Sequence, residues 1–342
     1  VIYHKVSGNW KIAVDAWIKV SGVWKKVYEG FVRAGGSWKA FYRIPYGFFG
    51  GGEEVGGTSN VIDRIHTMTL TGNALDRGNL TVIRNSLGGV SGFASIYGFF
   101  GAGYGDPSYY NVIDYIDMAL TLGNALDRGD FIILRISYST VSGPTYGFFG
   151  GGNDTGANAS NVIEYINTTI TAGNAIDRGD LTVARYANGG VNGPIYGFFG
   201  GGYSLPTRYN IIDYINMTLT TGNAIDRGDL TGTRTNVSGV SGPTYGFFGG
   251  GNDDVGAVNI IDYIDMTLTT GNAIDRGDLT AARWRSAGIE GDTYGFFGGG
   301  WDNINPRDVI DYIDMTLTTG NALDRDNLSV ARYALGGVCT SF

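Results

Sequence analysis

Hydrophobic residues in this chain fall in short runs separated by glycine, asparagine and threonine. Between residues 196 and 245, Tyr196-Gly-Phe-Phe-Gly is followed by Ile211-Ile-Asp-Tyr-Ile-Asn-Met217, by Ala224-Ile-Asp-Arg-Gly-Asp-Leu230 and by one more segment before Tyr245. Apolar runs of this length bounded by turn residues predict β-strands, and none is long enough for a helix. The unit recurs: Tyr-Gly-Phe-Phe-Gly begins at Tyr46, Tyr97, Tyr146, Tyr196, Tyr245 and Tyr294, at spacings of 49 to 51 residues. Four short strands in a unit of about 50 residues is the pattern of a β-propeller blade, so six blades are expected over residues 46–342.

Residues 1–45 carry a different repeat, with Tyr3, Trp17 and Phe31 in one register and Trp10, Trp24 and Trp38 in another, 14 residues apart. Trp17-Ile-Lys-Val-Ser-Gly-Val-Trp-Lys-Lys-Val27 reads as two strands joined at Ser21-Gly22. Two-residue turns place Lys5 opposite Trp10, Lys19 opposite Trp24 and Arg33 opposite Trp38, where cation–π contact is expected. The chain therefore reads as a small β-hairpin repeat module followed by an all-β propeller.

The segment Arg185-Tyr186, the strand Gly189-Gly190-Val191 and the following Tyr196-Gly-Phe-Phe-Gly-Gly resemble the kelch repeat. The resemblance extends over all six units, although the tryptophan that many kelch blades carry near the third strand's end is missing and Ala102 interrupts one glycine run. The near-identical Asn-Val-Ile-Asp-Tyr-Ile and Gly-Asn-Ala-x-Asp-x-Gly-Asp-Leu-Thr segments are similar to those of kelch-like proteins of marine and cyanobacterial phages. The N-terminal repeat resembles the Trp-Lys repeats of phage tail and fibre proteins. These resemblances imply a virion protein.

Packing supports a closed ring. In Phe198-Phe199 successive rings point to opposite sheet faces, so each blade offers one to each neighbour. Gly189 and Gly190 suit the strand nearest the axis, where side chains collide. The repeats open with second-strand sequence and end with first-strand sequence, Leu335-Gly-Gly-Val-Cys-Thr-Ser-Phe342, which is expected to pair beside Gly47 to Gly50.

Charge narrows the function classes. The net formal charge is −8, split into +6 over residues 1–45 and −14 over the rest, and every lysine lies in the first 45 residues. An acidic propeller repels phosphate, so no nucleic-acid partner is expected. No apolar run reaches the ~18 residues of a membrane span, so no membrane insertion is expected. A single cysteine, Cys339, and two histidines, His4 and His66, offer neither a zinc pattern nor the copper ligands of an oxidase-type propeller. No cofactor, metal site or catalytic residue is expected.

Arg-Gly-Asp occurs at Arg128, Arg178, Arg227 and Arg276, always at one repeat position. An integrin motif is one reading, but the fixed position favours a scaffold turn with charge pairing. Two acidic positions (Asp63, Asp114, Glu164, Asp213, Asp262, Asp311; and Asp76, Asp127, Asp177, Asp226, Asp275, Asp324) and one arginine position (Arg84, Arg135, Arg185, Arg234, Arg283, Arg332) also recur. A catalytic pair needs one special blade, so inter-blade ion pairs and turn hydrogen bonds are the better account, with a calcium site as the functional alternative.

What varies between units is the loop after the glycine run. It holds Tyr109 and Tyr110 in the second unit, Tyr203 and Arg208 in the fourth, and Trp301, Asp302 and Arg307 in the sixth. Variable loops on a rigid scaffold are the usual place for binding, and in a four-strand meander they share a face with the blade-to-blade connections. Their aromatic and polar side chains suit stacking on sugars and hydrogen bonding to hydroxyls. The expected function is a phage tail-fibre or tail-tip protein that joins other virion proteins through residues 1–45 and meets a host-surface glycan or receptor through the propeller, with homo-oligomerisation open. A virion decoration or cement protein is the alternative, and a cellular kelch-type lectin or oxidase the third reading.

Overall fold

The computed structural model describes residues 45–92 and 96–340, and for residues 1–44 only backbone strand pairing. Six four-stranded antiparallel sheets, without a helix among the described residues, form a six-bladed β-propeller. The fourth blade is representative: inner strand Gly189–Asn192, second strand Tyr196–Gly200, third strand Ile211–Asn216 and outer strand Ile225–Asp229, in that order from the axis. Each strand matches one of the short runs predicted from sequence.

Closure follows the expected route. The C-terminal strand Gly336–Cys339 pairs with Tyr46–Gly50 in the register Gly336↔Gly50, Gly337↔Phe49, Val338↔Phe48 and Cys339↔Gly47. Thr340 extends the seam, its amide donating to the Tyr46 carbonyl at 2.9 Å and its hydroxyl accepting from the Tyr46 amide at 3.0 Å. The first blade is thus built from both ends of the described propeller, which removes its open inner edge.

The paired phenylalanines divide between neighbours. Phe48 packs in one cluster with Phe100 of the second blade, while Phe49 packs in another with Phe296 of the sixth. The same exchange fills the other junctions, for example Phe148 with Phe199 and Phe198 with Phe248. Alternation along a strand therefore turns one dipeptide into two inter-blade cores.

Inner-strand glycine is a consequence of convergence. A Cβ at Gly239 would lie 1.9 Å from the Gly190 carbonyl oxygen, and one at Gly288 would lie 1.8 Å from that of Gly239. Neither position tolerates a side chain without moving a neighbouring blade.

The repeated ions are scaffold. Arg185 pairs with Asp213 at 3.0 Å with both side chains fully buried, and Arg84–Asp114, Arg135–Glu164, Arg234–Asp262, Arg283–Asp311 and Arg332–Asp63 repeat it at 2.5 to 3.1 Å. Each pair ties the connection leaving one blade to the third strand of the next. Asp213 also accepts from the Thr182 amide at 2.9 Å and hydroxyl at 2.6 Å, so the buried carboxylate is well satisfied.

The Arg-Gly-Asp arginines correct one expectation: they do not pair with carboxylates. Arg178 is 5% exposed and donates to the carbonyls of Gly222, of Asn216 at 3.1 Å and of Leu219 at 3.3 Å, all in the next blade. The preceding acid makes the turn contact, with Asp177 Oδ1 accepting from the Gly179 amide at 3.0 Å. A guanidinium fork directed at three carbonyls staples adjacent blades at the rim.

Among residues 3–43 the described strands pair antiparallel two by two, with Lys5 opposite Trp10, Lys19 opposite Trp24 and Arg33 opposite Trp38. The side chains of these six residues, and the cation–π contacts expected of them, lie outside the described residues.

Candidate functional site

Second strands run toward one face of the propeller and inner strands run away from it, so the variable loops and the blade-to-blade connections meet there. They hydrogen-bond to one another. The Trp284 and Trp301 backbones exchange bonds of 3.0 and 2.8 Å, the Tyr186 and Tyr203 backbones exchange two of 2.9 Å, and Glu53 pairs likewise with Tyr333. The chain enters the propeller at Tyr46, on the opposite face, beside the ends of the inner strands.

At the centre of the loop face, six residues in left-handed backbone conformation surround the axis: Ser86, Ser137, Ala187, Asn236, Arg285 and Ala334, with φ of 55° to 56°. Each amide donates to the carbonyl of the same position in the preceding blade, and Ser86 donates to Ala334, closing a circle of six bonds of 2.5 to 3.2 Å. The circle rims a cavity of about 130 Å³ whose walls are the inner-strand starts.

The loops themselves are braced. Asp154, Asp253 and Asp302 each accept from two backbone amides at 2.7 to 3.0 Å, which holds their carboxyls below the usual carboxylate range. Aliphatic side chains stand at four loop tips, Val55, Leu205, Val255 and Ile304, with 74% to 96% of their surface exposed.

The sequence-predicted residues all lie on this face, but not in one cluster. Tyr203 sits under the Arg208 guanidinium at 5.6 Å, and Arg208 crosses to the fifth blade's loop, pairing with Asp254 at 2.5 Å and with Asn252 Oδ1 at 3.1 Å. Asp302 and Arg307 pair with each other, so both hold their own loop. Trp301 packs on Tyr333 with ring centres 5.0 Å apart. Tyr109 stands edge-on to Tyr104 at 5.5 Å, and with Tyr110 it belongs to the long third strand Ser108–Asp117 of the second blade.

Sequence reasoning missed the connection residues Tyr186, Trp284, Arg285 and Tyr333, which complete the aromatic surface beside Tyr203 and Trp301. The clue was available: the two positions after the repeated arginine vary from blade to blade, and among them only Arg285 is charged.

The far end of the axial channel is ringed by the last inner-strand residues, Ser91, Ser142, Asn192, Ser241, Glu290 and Cys339. Asn192 Nδ2 donates to Glu290 Oε1 at 2.8 Å. Enclosure pushes the Glu290 carboxyl up to about 7, and burial together with that carboxyl raises the Cys339 thiol well above its ordinary value. Among the described residues no group of three His, Cys, Asp or Glu side chains is placed to hold a metal ion. The chain matches no protein-family model, and no curated protein is significantly similar to it.

Proposed function

We propose that the protein is a non-enzymatic adhesion module that presents the loop face of its propeller to a saccharide surface. The resemblance of its repeats to phage kelch-like proteins supports a place in a virion, at a tail fibre or tail tip. The observation that carries the binding reading is polarity: loops and aromatics gather on one face, while the chain enters on the other. A module tethered at one end through residues 1–45 then displays its variable surface outward. Half-buried Tyr203, Trp301 and Tyr333 offer ring faces and edges for sugar contact, and asparagines nearby offer amides to hydroxyls.

Adsorption of the purified protein to host cells or isolated surface polysaccharide tests this, against a variant carrying Trp301→Ala, Tyr203→Ala and Tyr110→Ala. Loss of adsorption by a folded variant is expected; equal adsorption overturns the reading. A second reading, a virion decoration protein without a receptor, is favoured by one observation. Leu120, Ile170, Leu219, Leu268 and Leu317 recur at the opposite rim with at least half of their surface exposed, a periodic apolar belt suited to packing in a particle.

A further inference from the structure

We propose that the axial mouth of the loop face is a carboxylate-recognition site in which Arg285 engages the acidic group of a uronic-acid-type sugar. The inference rests on the saccharide-binding reading above and adds its charge specificity and its central residue.

Position is the first argument. The mouth is rimmed by six equivalent left-handed residues, and five of them carry short side chains, Ser86, Ser137, Ala187, Asn236 and Ala334. Left-handed backbone is costly for a residue with a Cβ, so no local preference favours a long cation there. Arg285 lines the cavity together with Asn236, Asn188 and Tyr138.

Satisfaction is the second. Each of the twelve repeated arginines has a terminal guanidinium nitrogen bonded to oxygen, as Arg185 has with Asp213 and Arg178 with Asn216. Arg285 differs. Its Nε donates to Asn236 Oδ1 at 3.2 Å and its guanidinium carbon lies 4.8 Å from the Trp284 ring centre. Neither terminal nitrogen bonds to any described residue. Nε and the aromatic face orient the group, and the two free nitrogens form the fork that matches a carboxylate bidentately. The nearby acid, Glu53, is engaged elsewhere, accepting from Asn85 Nδ2 at 2.5 Å, and forms no ion pair with Arg285.

Ligand class follows from charge and surroundings. One cation without an ion-pair partner in an acidic propeller suits a monoanion; a phosphate dianion leaves a net negative charge at the mouth and is repelled more strongly by the acidic body. Trp284, Trp301, Tyr333 and Tyr186 flank the mouth on the connection and loop positions, where a pyranose ring attached to the carboxylate can pack.

Calorimetric titration of the full chain with a trigalacturonate, with its methyl ester and with a neutral trisaccharide tests the proposal. The expected result is binding of the free acid at least about tenfold tighter than of the ester, a difference of about 1.4 kcal/mol. Arg285→Ala removes that preference, and Arg285→Lys restores charge but not the fork and recovers only part of it. Unchanged melting of both variants shows that the fold survives. Equal affinity for acid and ester, undiminished preference in Arg285→Ala, or inorganic sulfate competing better than the uronate overturns the carboxylate site. Binding of the neutral sugar alone leaves the saccharide reading standing and this inference refuted; binding of no saccharide refutes both.

Discussion

Asp326 occupies, at φ 146°, the backbone position that Gly277 holds at 140° in the preceding blade. In four other blades the position is also glycine, because a Cβ there meets the next blade's turn; at Gly277 it would lie 2.8 Å from the Gly320 carbonyl oxygen. Two of the staple's contacts are longer where Asp326 stands, while Arg325 Nε keeps its bond to the Thr69 carbonyl at 3.1 Å. Asn327 reaches Asn73 Oδ1 at 3.3 Å where Asp278 reaches Asn321 Oδ1 at 3.1 Å, and Arg325 reaches the His66 carbonyl at 3.4 Å where Arg276 reaches that of Asp314 at 3.1 Å. Asp326→Gly is therefore expected to stabilise the protein by about 1 kcal/mol, read as a raised urea midpoint with unchanged m. A lowered midpoint would refute the strain.

The Arg-Gly-Asp strings are expected to act only within the fold. Arg178→Ala leaves carbonyls of Asn216, Leu219 and Gly222 without their donor and should cost on the order of 2 to 3 kcal/mol. Integrin binding by the intact protein that a free tripeptide competes away would contradict this.

Removing residues 336–342 should destabilise the propeller strongly. The deletion exposes the Tyr46–Gly50 edge and takes Val338, 3% exposed, out of a core cluster. Loss of a buried aliphatic alone costs about 2 kcal/mol, so a fall in Tm of more than about 5 °C and self-association through the open edge are expected. A truncated protein that melts like the intact one and stays monodisperse would mean the ring closes in another way.

Glu290 should make stability depend on pH around neutrality. Its folded-state value, about 7, lies above the ordinary 4.5, so the native state binds the proton more tightly. The stability this contributes is complete below about 4.5 and is lost as pH rises through 7. Glu290→Gln should thus be more stable than the native protein at pH 8, by on the order of 1 to 3 kcal/mol, relative to any difference measured at pH 4. A difference that does not change with pH would show that the carboxyl titrates normally.

Blade number, strand order and closure were legible in the sequence because each blade repeats the same local instructions. Tyr-Gly-Phe-Phe-Gly supplies one ring to each neighbouring core, Gly189-Gly190 marks the strand that must approach the axis, and the C-terminal Gly336-Gly337-Val338 supplies the inner strand missing from the first unit. Alternation and steric exclusion act over a few residues, so they leave a pattern that can be read without the fold. The partners of the buried charges were less legible. Repetition showed that Arg185 and Arg178 are scaffold, but only the packed blades direct one to a carboxylate and the other to carbonyls. The axial mouth was not legible. Asn236 and Arg285 lie 49 residues apart, in connections that look like ordinary turns, and they meet because a closed ring brings one residue from every blade to the same circle. A repeat fixes what the blades share; the surface where single, unlike residues converge is decided by closure, which no local pattern contains.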